Sequence, residues 1–218
     1  MKLVWSPEKA SKAYLDTVKS CKISKESGVA ELLSAMAAGW NAKFIVESWS
    51  HGGLIATSVG LAVAARNTGG RHVCIVPDEE SRLEYIKAMH DMGESPSPEV
   101  LVGEAEAVMG KLVGLDFLVV DCRRWDFFRV LRFAKLSSRG AVLACKNACQ
   151  RNVSWFRWNV VLERGTRVVR SVFLPVGKGL DIAYIGSNSG VASSRKSNPS
   201  RWIKHIDQQS GEEHMFRG

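Results

Sequence analysis

The chain has 218 residues, 45% of them hydrophobic, which is enough to bury one substantial core and favours one domain with extensions over two domains. Thirty basic residues against 22 acidic ones give a formal charge of +8, which permits an anionic partner (nucleic acid, a phosphate-bearing metabolite or an acidic membrane surface) without selecting one. The opening Met1 to Pro7 has no apolar signal region and no apolar run approaches the ~20 residues of a spanning helix, so the expectation is a soluble protein of the cytoplasm, or of the nucleus, with no membrane partner.

In chain order, Ser6-Pro7-Glu8 is a helix start: a capping hydroxyl, proline in the first turn and an early acid that meets the helix dipole. This helix is expected to run to about Ser20, with Ala10, Ala13, Tyr14 and Val18 inward and Lys9, Lys12 and Lys19 on a solvated face. A second helix is predicted from Ser27 to Ala38, stopped by Gly39. Lys43 to Val46 reads as the first buried strand, followed by the turn Glu47 to Gly53 and an apolar helix from Leu54 to Ala65. Strand, glycine turn, helix is the geometry that aims backbone N–H groups at a ligand. Arg71 to Val76 is the second strand, Ser81 to Met92 a helix, Ser95 to Pro98 a loop, Glu99 to Val102 a third strand, and Gly103 to Glu106 leads into a helical turn. Phe117 to Asp121 is a continuous apolar strand ending in an acid, as buried parallel strands do. A helix from Trp125 to Leu136 and a strand from Ala141 to Cys145 follow.

Leu174-Pro175-Val176-Gly177-Lys178-Gly179-Leu180 forces a reversal between the strand-like runs 168–173 and 180–185, so a hairpin should close the sheet. The expected class is α/β: a Rossmann-like three-layer sandwich whose seven-stranded, mostly parallel sheet ends in an antiparallel hairpin. Residues 1–40 read as a helical extension, 41–187 as the Rossmann-type domain and 188–218 as a flexible basic tail, with a short helix considered around Trp202 to Ile206. Arg195, Lys196, Arg201 and Lys204 in that tail are scattered, which favours solvation over nucleic acid.

These residues resemble the class I S-adenosylmethionine-dependent methyltransferases, and most of all the caffeoyl-CoA O-methyltransferase branch. That branch has Leu-Pro-(Val/Ile)-Gly-Asp-Gly-(Leu/Ile) where Leu174 to Leu180 stands, with Lys178 in place of the acid. Val46-Glu47 through Gly53 resembles its cofactor turn, Gly103-Glu104-Ala105 its adenine segment, and Val119-Val120-Asp121 the strand ending in its Asp-x-Asp pair. The opening Lys2-Leu3-Val4-Trp5-Ser6-Pro7 is also similar to a plant family of methyltransferase-like proteins. The resemblance implies S-adenosylmethionine as a cofactor held by Glu47, Gly52, Gly53, Gly103, Glu104, Ala105 and Asp121, and a homodimer formed through the N-terminal helices. It places glycine where Trp49 stands, and a ribose-binding acid where Val76 stands, leaving Asp78 as the substitute.

The resembling enzymes also bind a divalent cation through a second acid and an Asp-Asn pair. Here those places hold Asp121-Cys122-Arg123 and Cys145-Lys146-Asn147, so a hard cation would meet positive charge and too few oxygen ligands, and no metal is expected. Arg123, Arg124, Lys146 and Lys178 instead suggest a cationic mouth for an anionic small molecule, the alternative being surface pairs worth about 0–1 kcal/mol each. No catalytic base is identified. His51 in the turn is a candidate, although a loop histidine is more often structural. Trp155, Phe156 and Trp158 either wall a planar ligand or pack the core. Five cysteines, several inside apolar runs, read as reduced thiols; Cys122, Cys145 and Cys149 are either soft-metal or oxidation-sensing groups or small buried hydrophobes. The reading that results is a methyltransferase-like protein, metal-independent if active. A catalytically degenerate binding protein with a cationic pocket is the alternative, and nucleic-acid binding or modification the third choice.

Overall fold

The computed structural model describes residues 4–21, 28–94, 97–153 and 155–187, together with the backbone of 202–206 and 213–217. Helices α1 (Pro7–Ser20), α2 (Val29–Gly39), α3 (Ala56–Thr68), α4 (Glu79–Asp91), α5 (Ala105–Met109), α6 (Phe127–Arg132) and α7 (Trp158–Val161) alternate with strands. The principal strands are β1 (Phe44–Ser48), β2 (Arg71–Val76), β3 (Glu99–Val102), β5 (Phe117–Asp121), β7 (Ala141–Lys146), β8 (Val168–Leu174) and β9 (Leu180–Ile185). Two short strands, β4 (Val113–Leu115) and β6 (Lys135–Leu136), pair with each other apart from the main sheet.

The main sheet has the order β3-β2-β1-β5-β7-β9-β8, parallel except for β9, which runs antiparallel to both of its neighbours. The α/β class and the closing hairpin read from the sequence are therefore observed. Alternation along the strands decides the two faces. Ile45, Phe117, Val119, Val142 and Ile182 pack against α1, α2 and α3, with Cys74 and Val76 against α3 and α4, while Val46, Val73, Leu118, Val120, Leu143 and Cys145 pack against α5, α6 and α7.

Several local expectations are corrected. The inward stripe of α1 is Ala10, Ala13 and Thr17, whereas Tyr14 and Val18 are exposed. The three helices lie too close for large inward side chains: a Cβ on Gly60 would stand 2.7 Å from the Ala30 carbonyl oxygen, and the Thr17 and Ser34 hydroxyls meet at 2.8 Å. Lys9 is held by Asn41 Oδ1 at 2.7 Å rather than standing in solvent. Gly39 does not stop α2. It is the last helical residue, glycine because the Trp5 ring lies where a Cβ would be, and Asn41 takes the left-handed conformation just beyond. The helix begun near Trp125 is shorter than expected, because Lys135 and Leu136 extend to pair with β4. Trp202–Ile206 is a strand, β10, not a helix, and pairs antiparallel with β11 (Glu213–Arg217). Most of the predicted tail, Ser27, and part of the 95–98 loop lie outside the described residues.

Candidate functional site

The sheet order reverses between β1 and β5, and in open α/β sheets ligands bind at the carboxyl edge of such a switch point. A crevice of about 440 Å³ lies there, walled by Ser50, His51 and Gly52 after β1, Pro77 after β2, and Asp121 and Arg123 to Asp126 at and after β5. Its size falls in the range of small-molecule sites.

Strand register places the charged residues. Glu47 pairs with Val119, Asp121 lies two residues further on the same face, and Asp121 pairs with Lys146. Glu47 is buried; it accepts from Tyr85 Oη at 2.8 Å and Ser58 Oγ at 2.9 Å, and His72 Nε2 lies 3.1 Å away. Burial opposes its ionisation, but the contacts with His72, the charge of Lys146 and the Tyr85 hydrogen bond outweigh it and hold the carboxyl below the usual range. Burial, then the charge of Glu47, pushes the Cys74 thiol and the Tyr85 phenol well above their ordinary values.

Asp121 is the hub of the crevice floor. It accepts from the Arg123 backbone N–H at 3.0 Å, from Arg123 Nη2 at 2.7 Å and from Asn147 Nδ2 at 2.9 Å, with Lys146 Nζ 3.9 Å away. Burial again opposes ionisation, and Arg123, Lys146 and Asn147 together hold the carboxyl down. The structure thus brings Arg123 and Lys146 together on one carboxylate. Lys146 is buried, and the Arg123 side chain is 39% exposed, so the charge reaching the crevice surface is the guanidinium while Asp121 lies beneath it. Arg124 is committed elsewhere: its fork holds Asp126, and Nη1 donates to the Trp49 carbonyl at 2.8 Å, fastening the β5 loop to the β1 turn. Lys178 does not join this group; it is exposed in the β8–β9 turn and is not part of the crevice wall.

The remaining candidates divide. Trp49 is 2% exposed and packs edge-on against Tyr85 beneath the turn, so it neither swings outward nor lines the crevice. A Cβ on Gly53 would meet Trp49 Nε1 at 2.6 Å, so this glycine serves the indole rather than the close approach of a ligand. Gly52 is different: its φ is +70°, and open space surrounds its Cβ position. Asp78 is the N-cap of α4, accepting from Ser81 N at 2.7 Å, and that backbone hydrogen bond leads the causes that depress its pKa. Gly103 turns the chain after β3 with φ +142°, Glu104 is exposed and makes no capping bond to α5, and Ala105 is buried. His51 pairs with Glu84, which also accepts the Gly52 N–H at 3.3 Å. Phe156 and Trp158 are buried against the core, while Trp155 is partly exposed against Phe128. Sequence reasoning missed Tyr85, Ser58, His72 and Glu84, because each acts as a partner from a distant helix or strand and none stands in a motif.

A hard divalent cation does not fit this floor. Of the two carboxylates that line the crevice, Asp126 is held by the Arg124 fork, and Asp121 already receives Arg123 and Asn147 with two cationic side chains flanking it.

Sheet order, closing hairpin and carboxyl-edge crevice define a Rossmann-like fold of the methyltransferase type. The chain belongs to the family described as Protein of unknown function (DUF1442), whose model matches residues 1–218. Solved structures share the fold at low identity. A methyltransferase from Geobacter sulfurreducens is 23% identical, with a TM-score of 0.57 over 82% of this chain and 89% of that one. The SAH-bound methyltransferase of Podospora anserina is 14% identical, TM-score 0.56, over 84% and 90%. A putative caffeoyl-CoA O-methyltransferase from Staphylococcus aureus is 12% identical, TM-score 0.55, over 79% and 92%. No curated protein matches the chain in sequence.

Proposed function

We propose that the chain is a metal-independent methyltransferase-type protein that takes S-adenosylmethionine and an anionic small molecule at the carboxyl-edge crevice. The observation that carries this is the Asp121 cluster: Arg123 and Lys146 converge on one carboxylate at the crevice floor, with the guanidinium toward the opening. The fold shared with an SAH-bound methyltransferase supports the cofactor. Of the residues singled out for it, Gly52, Gly103 and Glu104 are disposed to hold it, since Gly52 leaves open space and the Glu104 carboxylate is exposed. Glu47 and Asp78 are spent on internal hydrogen bonds. S-adenosylmethionine, when bound, supplies the methyl group. Arg123 orients the anionic acceptor by charge-assisted hydrogen bonds, and the apolar ring of Trp125, at 73% exposure, shields one side of the opening.

One set of observations favours a second reading, a binding protein that has lost the reaction: Val76 replaces the ribose acid with a buried apolar residue, and the Trp49 indole occupies the space beneath the turn. Calorimetry of the full chain with S-adenosylmethionine and with S-adenosylhomocysteine separates the two. The proposal expects saturable heat from both, unchanged by magnesium or by a chelator. Absence of heat from the native chain and from a Trp49→Gly variant leaves the binding protein. A magnesium-dependent increase in affinity overturns the metal-independent reading.

A further inference from the structure

Cys122 follows β5, and Cys145 lies in β7 opposite Val120, so the two thiols share the sheet face covered by α6 and α7. Both are free and buried. A third group reaches them from the far side. Arg151 bonds Asp181 Oδ2 at 2.8 Å, lies 3.8 Å over the Phe156 ring, and its positive charge acts on the Cys122 thiol. Arg151 also lines a cavity of about 450 Å³ with Arg157, Trp158 and Asp181, so a path leads from solvent to the guanidinium beside the thiol.

The pair is not symmetric. The contact with Cys145 on the same sheet face, ahead of the opposing burial and the assisting Arg151, holds the Cys122 thiol below its ordinary pKa. Burial, then the contact with Cys122, pushes Cys145 well above. Among the other charges nearby, Asp181 is neutralised by Arg151 and accepts from Trp158 Nε1 at 2.8 Å, while Asp121 works against a Cys122 thiolate. Two positions needing only small apolar volume require no arginine brought into the core beside them. One nucleophilic sulfur, one proton-holding sulfur and an activating cation make a reactive thiol with a resolving partner.

We propose that Cys122 and Cys145 form an oxidation site for hydroperoxides, closing to a disulfide that joins the end of β5 to β7. The Cys122 thiolate attacks the terminal peroxide oxygen; an S–O bond forms as the O–O bond breaks, and the departing oxygen leaves as water or alcohol after taking up a proton. Cys145 then attacks the Cys122 sulfur, the S–O bond breaks, and the hydroxyl leaves as water with the Cys145 proton. Two thiols are oxidised and one peroxide is reduced. The bond forms one residue from both Asp121 and Lys146, so it ties together the two strand ends that hold the crevice charges. The site stands on its own geometry and does not depend on a cofactor.

The test treats the full chain, as Cys149→Ser to remove the exposed thiol, with hydrogen peroxide, and maps peptides after alkylation under denaturing conditions. The expected result is a Cys122–Cys145 cross-linked peptide, reversed by dithiothreitol. Cys145→Ser should instead give a sulfenic acid at Cys122 that dimedone traps, and Arg151→Met should slow Cys122 oxidation about tenfold. Circular dichroism checks that each variant is folded; where one is not, the map of the Cys149→Ser chain decides alone. The proposal is overturned if Cys122 and Cys145 both remain alkylatable under peroxide that oxidises Cys149 in the native chain, or if either is cross-linked elsewhere.

Discussion

Glu47 stands where the resembling methyltransferases carry a cofactor-turn acid, yet the structure assigns it to the core, and replacing it by glutamine separates the two roles. The carboxylate receives hydroxyl hydrogens from Tyr85 at 2.8 Å and Ser58 at 2.9 Å and balances part of the Lys146 charge. Glutamine keeps the shape and one oxygen but puts an amide N–H toward one hydroxyl, which must rotate to accept, and removes the charge. Hydrogen bonds to charged groups contribute about 1.5–3 kcal/mol each against about 1 for neutral ones. Two weakened bonds and an ammonium that loses a counter-charge therefore amount to about 3 kcal/mol, at the lower end of what breaking a buried charge pair costs. For a chain of this length that lowers Tm by roughly 6–12 °C. Urea unfolding followed by tryptophan emission measures it, with the slope unchanged because the surface exposed on unfolding is the same. A loss under about 1 kcal/mol accompanied by loss of S-adenosylmethionine binding would refute the argument and return Glu47 to the cofactor.

Three further outcomes follow from the same geometry. Glu47 and Asp121 both have folded-state pKa values depressed below their unfolded ones, so their stabilisation is complete above the ordinary carboxylate range and is lost as pH falls through the lower folded values. Thermal scans at fixed ionic strength should show Tm falling below about pH 4, and Lys146→Met, which removes a charge that both carboxylates feel, should move the fall to higher pH. Gly53→Ala places a methyl 2.6 Å from Trp49 Nε1 and 2.8 Å from the Ser50 carbonyl oxygen, and should cost about 2 kcal/mol in chemical denaturation, only part of it removed in a Trp49→Ala background because the Ser50 carbonyl stays in place. Gly60→Ala pushes a methyl against the Ala30 backbone and should destabilise by about 2 kcal/mol with no such rescue, since backbone cannot move aside as a ring can.

The fold was legible because its signals are local. The runs 71–76, 99–102 and 117–121 become strands with those bounds, the first and last largely buried and 99–102 a half-exposed edge, and the proline-glycine reversal at 174–180 becomes the closing hairpin. What failed was decided by contacts across the chain. Tyr14 and Val18 have helical spacing but face outward because glycine and alanine crossings draw the neighbouring helices too close for them. Lys135 and Leu136 continue a helical pattern in sequence but take extended backbone to pair with β4. At the site, Arg123 and Lys146 were readable as strand-end cations, since strand ends meet at the carboxyl edge, whereas the engagement of Glu47 by Tyr85, 38 residues away, and of Arg124 by the Trp49 carbonyl, 75 residues away, has no sequence signature.

On the metal-independent proposal, cationic side chains stand where the resembling enzymes hold an ion, and this changes what the crevice can do. A bound divalent cation offers open coordination positions that can hold two substrate oxygens at once and strengthen as one of them ionises. Lys146, its ammonium buried beside Asp121 and within the field of Glu47, offers none: its charge is compensated from below and its reach is fixed by its own strand. Orientation of any acceptor then falls to groups that reach the opening, namely the Arg123 guanidinium and the Trp125 ring, which Arg129 already covers at 5.5 Å. Arg123→Ala should therefore weaken binding of a small carboxylate or phosphate probe while leaving S-adenosylmethionine binding intact, because the guanidinium lies on the β5 side of the crevice and the open Gly52 and Glu104 lie beyond β1 and β3. Equal loss of both ligands in paired titrations would mean that one subsite, not two, occupies the crevice.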